Sequence, residues 1–222
     1  METHEIIKDI KSQFRSFMNG QASKSMRDKG LDYKVNWGIE LPRLKEIASQ
    51  YDQNFQVAEE LWKDNVRECK ILAGLLMPVE EFNEDMADSW IENIHNPEIA
   101  QLTCMNLFQN LPFAKKKSFE WMADDREYHE LCGFTLMGRL LMKGEKLEER
   151  EQDEFLDQSL TAIQTDNLLI GQAAANALRK FGRQDEDSRK KLGKQLTPLL
   201  LFGKEEVKAL AGEIKSDIEY SF

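Results

Sequence analysis

HNPEIAQLTCMNLFQNLP, residues 95–112, carries apolar side chains at Ile99, Leu102, Met105 and Phe108, with Leu107 beside them. That is the spacing of a helix face, not the alternation of a strand. Asn96 is a capping residue. Pro97 sits at the first helical position, where a missing N–H costs nothing, and Pro112 ends the run. The stretch predicts one helix from His95 to Pro112.

Segments of the same build lie on either side of it. Upstream, Thr3 caps a first helix carrying Ile6, Ile7, Ile10, Phe14 and Phe17, which stops at Asn19-Gly20. Ser23 opens a short helix through Lys29, VNWGIELP (35–42) reads as a turn, and Pro42 begins a helix through Tyr51. From Asn54 the pattern becomes regular. Helices are expected over 57–62 and 66–77, 82–94 and 95–112, 117–123 and 127–143, 152–164 and 168–181, and 188–202 and 205–218. No convincing strand run interrupts them.

The second helix of each pair has a small residue among larger apolar ones: Ala73, Cys104, Gly133, Ala174 and Ala211. Small side chains let neighbouring helices approach closely. A lone helical hairpin cannot bury its apolar face, so hairpins recurring every 30 to 40 residues or so are expected to stack. The reading is an all-α, HEAT-like α-α superhelix, an α solenoid of antiparallel helix pairs. An ordinary helical bundle is the alternative. One domain is expected over 1–222, with capping helices over 1–53 and about five pairs over 54–222.

Composition narrows the function. Of 222 residues 40 are acidic and 30 basic, a formal net charge of −10. No stretch reaches the roughly 18 apolar residues of a membrane span, and METHEIIKDI lacks the apolar core of a signal peptide. A cytoplasmic monomer is expected. Cys69, Cys104 and Cys132 each fall within a predicted helix and read as buried, reduced thiols. His129 stands three residues from Cys132, but a zinc site needs about four converging ligands, and no paired CxxC motif is present. No metal site is expected.

So acidic a chain repels nucleic acid unless its charge is uneven, because DNA affinity comes mainly from neutralising phosphates. It is uneven. Lys115, Lys116 and Lys117 form one basic knot, and a second basic stretch runs from Arg179 to Lys194. Gln172, Asn176, Arg179 and Arg183 share one helix face, as do Arg139 and Lys143 with Thr135, and Asn106 and Asn110 with Thr103. Stripes of Arg, Gln and Asn can donate hydrogen bonds to a phosphate backbone; a wetted helix face is the plainer reading.

Three stretches resemble the AlkD-type DNA glycosylases of the DNA alkylation repair family. They are SMRDKGLDYKVNWGIELPRLKEIASQY (25–51), ELWKDNVRECKILAGLLM (60–77) and FEWMADDREYHELCGF (119–134). The resemblance implies a protein that wraps DNA in a basic concave groove. Active members remove N3- or N7-alkylated purines without metal or cofactor. A carboxylate near the sugar stabilises the oxocarbenium-like charge, aromatic rings hold the cationic base, and an arginine clamps the backbone.

The implied residues do not carry over. The family's tryptophan and aspartate belong in the stretch 95–112, which has neither, and its only acid is Glu98. The family's arginine falls on Leu131, beside Glu130, and a further tryptophan falls on Asn176. Glu98 and Asp124 are the substitute carboxylates on offer, though Glu98 also suits a helix N-terminus and Asp125 a helix cap. Trp37, Trp62, Trp90 and Trp121 read first as core. DNA binding without base excision is therefore the expectation. An active glycosylase using a displaced carboxylate, and a scaffold binding a protein partner in the groove, are the alternatives.

Overall fold

A computed structural model describes residues 2–31 and 33–220. Among these lie thirteen α-helices. The first seven are α1 (Thr3–Phe17), α2 (Gly20–Asp28), α3 (Leu41–Ala48), α4 (Phe55–Lys63), α5 (Arg67–Leu76), α6 (Glu84–Ile91) and α7 (Pro97–Asn106). The rest are α8 (Ala114–Met122), α9 (Glu127–Met142), α10 (Glu149–Ala162), α11 (Leu168–Gly182), α12 (Glu186–Phe202) and α13 (Glu205–Glu219). The described residues form no strand beyond a single bridge between Val35 and Val66. None of these helices is long and apolar enough to cross a membrane.

The chain divides into two compact units, Met1–Leu111 and Pro112–Phe222. In the first, α4 and α5 form a hairpin, α1 lies on α4, and α3 and α7 lie on α5. Ile10, Phe14, Leu44, Ile47, Leu61 and Leu72 fill the space between them. Trp62 and Trp90 stack face to face with ring centres 4.1 Å apart, and Phe82 meets Trp90 edge-on. Gly38 lies at φ +70°, and a side chain there would collide with the Asn19 carbonyl. The 35–42 turn thus demands glycine on two counts.

In the second unit α8–α9, α10–α11 and α12–α13 form three hairpins. The second helices stack on one another, α9 on α11 and α11 on α13, while α10 lies on α12. Such a two-layer order follows when each hairpin buries its apolar face on the next. The small residues sit where expected: Ala73, Cys104, Gly133, Ala174 and Ala211 are all buried. Gly133 shows why. A Cβ on it would run into the backbone of Met122 and Trp121 in α8.

Several boundaries differ from the sequence reading. The 95–112 helix ends at Asn106, because Leu107 leaves helical geometry (φ −122°, ψ −65°), and Phe108–Asn110 make a tight 3-10 turn. The break lets Leu107 and Phe108 both bury completely. Tertiary burial outweighs the apolar period that would have continued the helix. Thr103, within α7, is buried and presents nothing to a polar face.

At the N-terminus Thr3 is the first helical residue, and Glu2 caps, its N–H held by the Glu5 carboxylate at 3.1 Å. Asn19 rather than Ser23 caps α2, accepting from the Gln21 and Ala22 N–H groups. Ser23 is buried inside that helix and donates to the Asn36 carbonyl. The helix placed at 117–123 begins at Ala114 and the one at 152–164 at Glu149. Asp125 does not cap α9, since Arg126 occupies that position and Asp124 accepts its N–H. Trp62, Trp90 and Trp121 are core, whereas Trp37 is only half-buried. Cys69, Cys104 and Cys132 are buried in α5, α7 and α9. Burial pushes the Cys69 thiol up to about 12, which keeps it protonated.

Candidate nucleic-acid interface

The cations singled out from the sequence are mostly engaged. Lys115 pairs with Glu151 at 3.1 Å and Glu145 at 3.3 Å. Lys116 is exposed and reaches Glu120 at 3.8 Å, while Lys117 is only 6% exposed and pairs with the same carboxylate at 2.8 Å. The basic knot is therefore one surface cation, one partly covered pair and one buried lysine.

The α11 stripe is tied to α13. Arg179 Nε donates to Asp217 at 2.6 Å and its Nη2 lies 3.7 Å from Glu213. Its Nη1 also donates to the Asn176 side-chain oxygen. Arg183 donates to the Asp217 carbonyl at 3.1 Å, and Gln172 and Asn176 are exposed. Along the same stretch Lys190 pairs with Glu186 and Lys191 with Asp153. The structure does bring Gln172, Asn176, Arg179 and Arg183 onto one face, but much of its charge is balanced locally. Arg139 is half-buried near the end of α9 and Lys143 is exposed just beyond it. Asn106, at the end of α7, keeps a buried side-chain N–H group without a hydrogen-bond partner.

Both candidate carboxylates are held by arginine. Asp124 accepts from Arg126 Nε at 2.9 Å, Nη2 at 2.5 Å and the Arg126 N–H at 2.9 Å. Those bonds hold its carboxyl down at about 2. Glu98 is held more tightly. Its Oε1 accepts from Arg67 Nη2 at 2.7 Å, and its Oε2 accepts from Arg67 Nε at 2.8 Å and the Tyr33 hydroxyl at 2.5 Å. Burial alone would raise the Glu98 carboxyl, but the Arg67 and Tyr33 bonds overcome it and keep the group below its usual range.

The sequence reading missed this arginine. Arg67 is 2% exposed and its neighbour Glu68 fully buried. Arg67 Nη1 donates to Glu68 at 3.0 Å and to the Ile39 carbonyl at 2.9 Å. Glu68 in turn accepts the N–H groups of Trp37 and Ile39. One bidentate guanidinium thus joins the first turn of α5, the first turn of α7 and the 33–39 segment. A signal was present in RECKILAGLL, where a charged pair opens a helix that has no other polar side but Lys70. Such a pair has to find partners inside.

Next to this clamp lies a cleft of about 60 Å³ lined by Tyr33, Lys34, Lys70, His95 and side-chain amides including Asn65 and Asn93. It adjoins a wider cavity of about 220 Å³ that shares Asn65, Lys70, Asn93 and His95 and reaches Trp62 and Trp90. Lys70 Nζ lies 4.2 Å from the Trp62 ring centre and donates to the Trp62 carbonyl at 2.9 Å. Burial pulls the Lys70 ammonium below its ordinary value. The second unit has a larger hollow, about 490 Å³, between the beginnings of α11 and α13, with Lys204 offset by Asp166, Glu206 and Glu213.

Residues 10–192 match the model of a family described as DNA alkylation repair enzyme. One solved structure has a TM-score of 0.80 at 16% identity, covering 96% of this chain and 93% of its own. It represents a new family of proteins related to the HEAT-like repeat DNA glycosylases, with affinity for branched DNA structures. An engineered protein aligns at a TM-score of 0.40 and 12% identity over 80% of this chain and 83% of its own. No curated protein gives a significant match. The first likeness establishes the fold as a HEAT-like α solenoid of antiparallel helix pairs.

Proposed function

Because the chain belongs to the DNA alkylation repair enzyme family, we propose that it binds DNA without excising a base. The observation that carries the second half of this reading is the state of Glu98. Base excision needs a carboxylate whose field reaches the sugar as positive charge develops there. Both Glu98 oxygens are instead committed to Arg67 and Tyr33. The guanidinium at bidentate distance, which Glu68 shares, opposes that field and holds the carboxylate in place. Asp124 is held in the same way by Arg126. Neither group is left to stabilise a sugar cation.

Family membership supports the DNA half. So does the fold shared with a protein of stated affinity for branched DNA, and we extend that preference to this chain as part of the proposal. The chain's charge is compatible with it only through local cations, since 40 acidic residues oppose 30 basic ones. Contact through a few lysines and through amide and hydroxyl donors is expected, with phosphates doing the positioning.

Fluorescence anisotropy at low salt tests this directly, using single strands, plain duplex, and three- and four-way junctions. Binding to at least one form, tightest for the junctions, is the expected result. No binding to any form would overturn the DNA reading. A parallel incubation with methylated DNA should release no 3-methyladenine or 7-methylguanine. Release that disappears in Glu98→Gln or Asp124→Asn would establish an active glycosylase instead.

A further inference from the structure

We propose that the cleft between Tyr33, Lys34, Lys70 and His95 is a phosphate-binding site, occupied by one backbone phosphate of the bound DNA. The inference rests on the DNA reading and adds to it a place of contact.

Among the described residues the lining of the cleft is cationic. Neither Lys34 nor Lys70 makes an ion pair among the described residues, whereas Lys63 and Arg67 beside them do. Lys34 is exposed at the mouth and Lys70 is half-buried. No acidic residue lines the smaller cavity, whose other polar groups include the Asn65 and Asn93 amides. Glu98 lies beside it with both oxygens bonded to Arg67, which Glu68 shares, and Glu59, in the wider cavity, accepts the Trp90 indole N–H at 2.8 Å. The half-buried Lys70 ammonium bonds only a carbonyl and lies on a ring; Asp64 attracts it but is itself paired with Lys11 at 2.5 Å, and burial outweighs that attraction and lowers the affinity of Lys70 for protons. An arriving anion would offset the cost of that burial.

The aromatic residues identify the ligand as a phosphate and not a base. Trp90 stacks on Trp62 at 4.1 Å, nearly parallel, and Lys70 Nζ lies 4.2 Å from the Trp62 ring centre. The Trp62 ring is already stacked and capped by a cation, so a nucleobase has little of it left to stack on. Both α5 and α7 also begin at the cleft, at Val66 and Asn96, and their helix dipoles favour negative charge there.

The test compares wild type with Lys34→Glu, Lys70→Gln and, as a control, Lys45→Glu, an exposed lysine on α3 outside the cleft. Lys34 makes no contact in the fold that its loss would break, so that variant reports on the site even if Lys70→Gln is poorly folded. Anisotropy with the preferred DNA is read across a salt series. Lys34→Glu is expected to weaken binding by about fivefold or more and to lower the slope of log K against log salt by about 1, with Lys45→Glu unchanged. Equal affinity and slope for wild type and Lys34→Glu would overturn the site while leaving the DNA reading intact.

Should wild type bind no DNA, titration with inorganic phosphate followed by NMR separates the two ideas. Shifts centred on Lys70 and His95 that vanish in Lys34→Glu would retain an anion site with a different phosphorylated ligand. No shift would remove the site along with the DNA reading.

Discussion

Arg67 is the residue on which most of the first unit's polar interior depends. It is 2% exposed and touches two carboxylates, one of them wholly buried. Removing one partner of a buried pair leaves a charge in low dielectric, a loss of about 3–5 kcal/mol. Arg67→Leu is therefore expected to destabilise by that amount in urea denaturation, and a loss under about 1 kcal/mol would mean that Glu68 is satisfied by the Trp37 and Ile39 N–H groups alone. Glu98→Gln keeps the shape and one acceptor and should be milder, about 1–2 kcal/mol at neutral pH. The pH dependence has a definite sign. A carboxyl held below its unfolded value stabilises the fold above that value and loses the contribution as pH falls. The stability gap between wild type and Glu98→Gln should be full at pH 6 and should close on acidification below about pH 4.5. A gap constant from pH 6 to pH 3 would show that Glu98 acts through packing and not through charge.

At the scale of helices, two glycines give opposite expectations from the same substitution. Gly133→Ala puts a methyl group into the backbone of α8, where nothing can yield by rotating a side chain. Overpacking of that kind costs about 1–3 kcal/mol, and with backbone as the obstacle the upper end is expected. Gly193 sits inside α12 with nothing near the added methyl, so Gly193→Ala should stabilise by about 0.5–1 kcal/mol through helix propensity. Thermal unfolding of the two variants beside wild type checks both signs at once. These elements were largely legible from the chain. Helical spacing, the Asn96 cap and the small residues of the second helices are local signals, and the structure places them as read. The end of α7 was not legible, because Leu107 and Phe108 fit the helical period. What breaks the helix is the complete burial of both side chains, Phe108 against Phe82 at a ring-centre distance of 6.2 Å, a residue far from it in sequence.

Over the molecule as a whole, the sequence revealed where cations are dense but not which acids they meet. Asp217 and Glu213 lie more than thirty residues from Arg179, and only the stacking of α11 on α13 brings them together. Lys34 and Lys70 make no such pair among the described residues, and no sequence motif marks them out. The balance bears on how the protein would hold DNA. With many surface cations paired, the slope of log K against log salt should have a magnitude of about 2–4, below that of proteins making 6–10 phosphate contacts. The α11 stripe gives this expectation its sharpest test. Asp217 holds Arg179 through its carboxylate and Arg183 through its carbonyl. If that stripe faces phosphate, Asp217→Asn keeps the carbonyl contact, removes one negative charge and leaves the Arg179 charge less offset toward DNA. Affinity should then rise by about two- to fivefold, the equivalent of a surface ion pair of up to about 1 kcal/mol. The salt slope should steepen with it. Asp217→Asn with unchanged affinity and slope would remove Gln172, Asn176, Arg179 and Arg183 from the interface and leave DNA contact to the first unit, where Lys34→Glu would then abolish most of the binding.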